Sequence, residues 1–209
     1  PTALFTVNNV CSKDTAHFID QSFSSNGYIV AWNWNFGDGI GTSNLQNPDY
    51  IYSQVSSITT FNPFLIVTDN NGCTDTVSNT VTIFPQPIAD FIADTVCSGN
   101  YTHFTDVSSP VADSLISWHW DFGDGIGTSN IQNPSYLYNP VNNITNFNVT
   151  LITTNNNGCK DTTSRTIIVN PLPNPNFTAN AVCSGDMTMF TDLSYSNGGP
   201  ITQWSWNFG

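Results

Sequence analysis

Cys11, Cys97 and Cys183 stand 86 residues apart, and the same spacing relates Cys73 to Cys159 and Trp34 to Trp120 and Trp206. A fixed period of this length makes the chain an array of one folding unit rather than a single large domain, because every copy carries the same apolar pattern and the same turn chemistry. Residues 36–48 (FGDGIGTSNLQNP) recur at 122–134 with one change, Leu45 to Ile131, and Asp20 recurs as Asp106 and Asp192. The 209 residues hold two complete copies and the first 37 residues of a third, with expected boundaries 1–86, 87–172 and 173–209. Because the last copy stops inside the motif Trp206-Asn207-Phe208-Gly209, the sequence is expected to be a window of something longer. Pro85-Gln86-Pro87 and Pro171-Leu172-Pro173-Asn174-Pro175 form the joints, and Pro-rich joints are stiff. Such an array is expected to make a rod.

Within a copy, residue types argue for strands. Every acidic residue is Asp, and Glu is absent. Glu and Lys populate helix surfaces, whereas Asp, Asn, Ser and Thr compete with the helix backbone and favour turns. Apolar residues alternate with period two in Ala3/Phe5/Val7, Ala16/Phe18, Trp32/Trp34/Phe36, Phe61/Pro63/Leu65/Val67 and Val81/Ile83, each set suited to the inner face of one strand. Turns are expected at Asn8-Asn9, Ser24–Gly27, Gly37-Asp38-Gly39, Asn47-Pro48 and Asp69–Gly72. About seven strands at this spacing read as an all-β, immunoglobulin-like sandwich.

The hexapeptides Trp34-Asn35-Phe36-Gly37-Asp38-Gly39 and Trp120-Asp121-Phe122-Gly123-Asp124-Gly125 resemble the W-D-F-G-D-G hallmark of the PKD (polycystic kidney disease) domain family. The resemblance extends to Asn47-Pro48-Asp49-Tyr50-Ile51-Tyr52 and Asn133-Pro134-Ser135-Tyr136-Leu137-Tyr138, where Tyr replaces the family's usual His, and to Leu65-Ile66-Val67-Thr68-Asp69. It runs through both full copies and into the third, at Trp206 and Phe208. It implies tandem β-sandwich modules of extracellular proteins. The cysteine-bearing form is similar to repeats in surface adhesins and filaments of the Bacteroidota. In the hallmark, Trp34, Phe36, Trp120 and Phe122 are suited to the core, and Asp38 and Asp124 to accepting backbone N–H groups in a tight turn.

Five cysteines at repeat positions, without CxxC or a His cluster, favour disulfides over metal. In an immunoglobulin-like sandwich the loop holding Cys11 and the loop holding Cys73 lie at opposite ends. A strand of about nine residues spans roughly 30 Å, whereas a disulfide needs Cα atoms within about 7 Å. Topology thus favours a bond between neighbouring copies, Cys11 to Cys159, with Cys97 reaching a later part of the third copy and Cys183 its repeat equivalent. A bond between Cys11 and Cys73, and free or intermolecular thiols, stay open.

The formal net charge of −12, with three Lys and Arg in all, excludes nucleic acid as a partner, since that affinity comes from cations displacing counterions. No apolar run reaches the roughly 18 residues of a membrane span, so membrane insertion is not expected. Gly37-Asp38-Gly39-Ile40-Gly41 lacks the following helix that a phosphate loop needs. Asp121 and Asp124 are a weak Ca²⁺ pair for an ion that takes six to eight oxygens, and no other cofactor is indicated. His17, His103 and His119 read as surface residues. Asp-Ser/Thr followed by a small or apolar residue, at Thr15, Thr76, Thr95, Ser114 and Thr162, resembles a bacterial O-glycosylation motif. No nucleophile motif or zinc-protease motif occurs, and no catalysis is expected. The expected role is a secreted, cell-surface structural or adhesive repeat segment, with neighbouring repeats, other copies in a filament and surface glycans or proteins as partners. An accessory array of a secreted hydrolase and a phage or viral fibre are the alternatives.

Overall fold

A computed structural model describes residues 1–208; Gly209, the last residue of the third hallmark copy, lies outside the described residues. All regular structure among the described residues is β. By backbone proximity the chain falls into two compact units. The first comprises Pro1–Ile88, Ser108–Ser117 and Thr153–Asp161, and the second Ala89–Val107, Trp118–Ile152 and Thr162–Gly209.

In the first unit, Phe5–Val7, Thr15–Asp20 and Asp49–Ile51 form one antiparallel sheet, ordered with Thr15–Asp20 in the centre. Facing it is a four-stranded sheet in the order Thr42–Ser43, Ile29–Asn35, Phe64–Asp69, Thr74–Ser78. The register Trp34↔Leu65 and Trp32↔Val67 places the alternating apolar residues of the two strands on one face. Phe5, Ala16, Phe18, Trp34, Phe36, Tyr52, Leu65, Val67, Val81 and Ile83 close the core between the sheets. The rings interlock edge to face: Phe5 lies 5.0 Å from Trp34 at 75°, and Phe18 lies 5.5 Å from Trp34 at 64°. Each such contact contributes about 0.5–1.5 kcal/mol beyond the area it buries.

A third, small sheet pairs Val10–Cys11 in parallel with Val81–Phe84, which also pairs antiparallel with Thr59–Phe61. The alternating set Phe61/Pro63/Leu65/Val67 spans two strands that change partner on either side of Pro63: Thr59–Phe61 pairs with Val81–Phe84, and Phe64–Asp69 with Ile29–Asn35. Proline lacks the N–H that a continuous ladder requires, so it suits such a switch.

The second unit repeats the core with Phe91, Phe104, Trp120, Phe122, Tyr138, Val149, Leu151, Ile167 and Val169. Phe91 meets Trp120 at 5.0 Å and 73°, almost the same pose as its counterpart in the first copy. In the third copy Phe177–Ala179 pairs with Phe190–Asp192, and Phe177 meets Trp206 at 5.4 Å and 77°. Phe208 lies 5.0 Å from Phe190. Trp206 and Phe208, the hallmark rings of the third copy expected in a core, keep these ring contacts but are exposed, as are Phe177 and Phe190.

Candidate functional site: the hallmark turn and the cysteine hairpin

The hallmark turn is built around one carboxylate. Oδ1 of Asp38 accepts the backbone N–H groups of Ile40 at 3.0 Å and Gly41 at 2.9 Å, and its Oδ2 accepts the Tyr50 hydroxyl at 2.5 Å. Asp124 repeats the pattern with Ile126, Gly127 and Tyr136. Burial pushes the Asp38 carboxyl up, but the bonds from Gly41, Tyr50 and Ile40 prevail and hold it below the ordinary aspartate value. Burial and the Asp38 carboxylate push the Tyr50 phenol up to about 12. Tyr136 is likewise pushed up to about 12, chiefly by its bond to Asp124 and then by burial. Tyr50 stacks on Phe36 with centroids 4.0 Å apart, and the buried Tyr52 donates to the Phe36 carbonyl at 2.8 Å.

Gly37 has φ +80°, and a Cβ there would stand 2.7 Å from the Asn62 backbone, so both conformation and space demand glycine. Asn35 Oδ1 accepts the Gly37 N–H at 2.9 Å, as Asp121 Oδ1 accepts that of Gly123 at 2.8 Å. A neutral amide and a carboxylate thus do the same work here. Asp124 offers both its oxygens to donors within the chain, and no group of three His, Cys, Asp or Glu side chains suited to a metal occurs among the described residues. The segment after Gly41 is the strand Thr42–Ser43, not a helix.

Cys11 is bonded to Cys159, 148 residues away, with Cα atoms 5.6 Å apart. Both cysteines belong to the first unit. Cys11 sits opposite Phe84 in the short parallel ladder, and Ser12, fully buried, donates both N–H and hydroxyl to the Phe84 carbonyl. Cys159 closes the hairpin Asn155-Asn156-Asn157-Gly158-Cys159, whose turn is fixed by Asn155. That side chain accepts the N–H groups of Asn157 at 3.1 Å and Cys159 at 3.0 Å and donates to the Pro85 carbonyl at 3.1 Å. The Asn156 N–H reaches the Ser114 carbonyl, the Asn157 amide reaches Asp113, and Cys159 Sγ lies 4.0 Å from the Phe84 carbonyl oxygen.

Cys73, Cys97 and Cys183 are exposed free thiols. His17, His103 and His119 are exposed, against Asp49, Ser135 and Asn130. Thr76, Thr95, Ser114 and Thr162 are exposed and Thr15 is half-buried. Asp20 recurs as Asp106 and Asp192, but a lone repeated acid does not reveal its partner. Asp20 Oδ2 accepts the Trp32 indole at 2.7 Å and the Gln46 amide at 3.2 Å. Asn155 and Ser12 were also missed; the available signal was a polar residue at a fixed repeat position, directly after Cys11 and Cys97 (Ser12, Ser98) and four residues before Cys73 and Cys159 (Asp69, Asn155).

These features coincide with a known sequence signature. The PKD domain signature matches residues 1–84 and again residues 85–170, and the chain belongs to the PKD domain family. It is similar to the PKD1 domain of Vibrio anguillarum Epp, at 30% identity over 42% of this chain and 96% of that one, with a TM-score of 0.37. The PKD1 domain from Vibrio cholerae metalloprotease PrtV stands at 31% identity over 40% and 96%, with a TM-score of 0.35. Clostridium thermocellum CbhA fibronectin(III)-like modules stand at 10% identity over 79% and 93%, with a TM-score of 0.42. No helix among the described residues is long and apolar enough to cross a membrane.

Proposed function

We propose that this chain is a non-catalytic, load-bearing segment of an extracellular surface protein or filament, in which PKD repeats are coupled into a stiff spacer. The observation that carries this reading is the Cys11–Cys159 bond, because its two cysteines fall in successive family matches, 1–84 and 85–170. A covalent tie between repeats, added to Pro-rich joints, restricts bending where a string of modules is otherwise most compliant. An oxidising exterior is where such a bond persists. Neighbouring repeats are the primary partners on this reading, and the exposed Thr76, Thr95 and Thr162 hydroxyls are candidate O-glycan acceptors on a secreted chain.

Small-angle scattering on the oxidised chain and on the Cys11→Ser/Cys159→Ser double variant tests the coupling. The oxidised chain should give a single narrow distance distribution, and the variant a broader one with a flexible profile. Identical profiles would remove the spacer reading.

A further inference from the structure

The surroundings of Cys11 are rebuilt around Cys97, one repeat later. Val96–Cys97 pairs in parallel with the last strand of its copy, Cys97 opposite Asn170, as Cys11 stands opposite Phe84. The Ser98 N–H donates to the Asn170 carbonyl at 2.7 Å, as that of Ser12 does to Phe84 at 2.8 Å. The bridge Asn174↔Tyr195 repeats Ile88↔Ser109, which positions the segment following it.

Beside Cys97 lies a cavity of about 380 Å³ with Asn170, Pro171, Gly199 and Pro200 in its wall. One repeat earlier, the matching positions are Phe84, Pro85, Asp113 and Ser114. Those four are the residues that receive the Cys159 hairpin: Cys159 Sγ against the Phe84 carbonyl, the Asn155 amide on Pro85, the Asn157 amide on Asp113, and the Asn156 N–H on Ser114. Cys97 is an exposed free thiol at the edge of this wall.

We propose that this cavity is a receptor for a PKD β-hairpin of the form Asn-Asn-Asn-Gly-Cys, whose cysteine forms a disulfide with Cys97. The hairpin presents its turn to the Pro171 carbonyl and its sulfur to Cys97, so that the coupling seen at Cys11 is one step of a repeating ladder. Cys183 provides a built-in reference. It sits in the same turn, with the Asp186 N–H on its carbonyl as Asn100 is on that of Cys97, but it does not line the cavity.

The test uses the full oxidised chain and a synthetic peptide of residues 151–163 whose cysteine carries a thionitrobenzoate group. Cys97 loses its proton to solvent and its sulfur attacks the peptide sulfur. The bond to thionitrobenzoate breaks, that thiolate leaves, and one disulfide replaces another with no net oxidation. The labelling ratio of Cys97 to Cys183, read by peptide mapping, is compared with the ratio given by a small disulfide reagent and by a scrambled peptide. The hairpin peptide should raise it by about tenfold, which corresponds to about 1.4 kcal/mol of recognition. A peptide carrying Asn155→Asp, which cannot donate to the Pro171 carbonyl, should lose that preference. Equal ratios for hairpin, scrambled peptide and small reagent would overturn the proposal, as would full preference with the Asn155→Asp peptide. The inference deepens the spacer reading, yet scattering reports on Cys11–Cys159 alone and labelling on Cys97 alone, so either can fail while the other stands.

Discussion

The Trp32 indole donates to Asp20 at 2.7 Å, and the identical bond joins Trp118 to Asp106 and Trp204 to Asp192. A hydrogen bond to a charged acceptor contributes about 1.5–3 kcal/mol, and removing the acceptor leaves a half-buried N–H without its partner. Asp20→Ala should therefore destabilise the first copy by about that amount in guanidinium unfolding followed by tryptophan fluorescence, and Asp106→Ala the second. The Asp20→Ala/Trp32→Phe double variant should fall well short of the sum of the singles, since both remove one interaction. Full additivity would show that the bond carries nothing.

The arithmetic of the chain and the composition of its cores were legible from sequence, because the strand period of two is visible wherever one face is buried. Trp34, Phe36, Leu65, Val67, Val81 and Ile83 were all assigned inward and all are buried. What escaped were relations that periodicity does not encode. An alternating pattern identifies a face but not a partner, so the change of sheet at Pro63 and the parallel pairing of Val10–Cys11 with Val81–Phe84 were invisible. Polar residues such as Asn155 take their meaning from a carbonyl 70 residues away in Pro85, which no local rule reaches.

Two glycines of the hallmark separate conformational strain from crowding. Gly123 and Gly125 have nearly equal φ, +77° and +76°, but a Cβ on Gly123 would stand 2.4 Å from the Asn148 carbonyl oxygen, whereas one on Gly125 meets nothing within 4 Å. Gly125→Ala should cost about 1–2 kcal/mol, from the left-handed backbone alone. Gly123→Ala should cost a further 1–3 kcal/mol, roughly, because the obstacle is backbone and cannot turn aside. Equal melting temperatures for the two variants would contradict this account.

The Asp38–Tyr50 and Asp124–Tyr136 pairs impose a pH dependence at both ends. The phenols are raised to about 12 in the folded chain from an ordinary value of about 10. The folded state thus holds those protons more tightly, and the stability they contribute is complete below pH ~10 and lost as pH rises toward 12. The carboxyls are lowered, so their contribution is present above the ordinary aspartate value of about 4 and lost as pH falls through the depressed one. Tyr50→Phe/Tyr136→Phe should keep the ring stack, flatten the alkaline loss, and delete a class of phenolate absorbance titrating near 12. An unchanged alkaline titration would refute the assignment.

Asn155 is fully buried and uses its amide in both directions, accepting from Asn157 and Cys159 and donating to Pro85. Its repeat equivalent is Asp69, whose carboxylate likewise accepts from Asn71 and Cys73. A carboxylate suffices to fix the turn but cannot donate to a carbonyl, so the amide is what seats the hairpin beside Cys11. Asn155→Asp should preserve the turn yet set a charge against the Pro85 oxygen, at a cost of about 1–3 kcal/mol or more at neutral pH. Burial beside a carbonyl raises the folded-state pKa of the introduced carboxyl, and the protonated acid can donate where the anion cannot. The deficit should therefore shrink as pH falls through the carboxyl range, opposite in sign to the acid response of Asp38. Melting curves of the oxidised variant from neutral to acidic pH decide it: a deficit independent of pH would mean that the Asn155–Pro85 bond does not hold the hairpin.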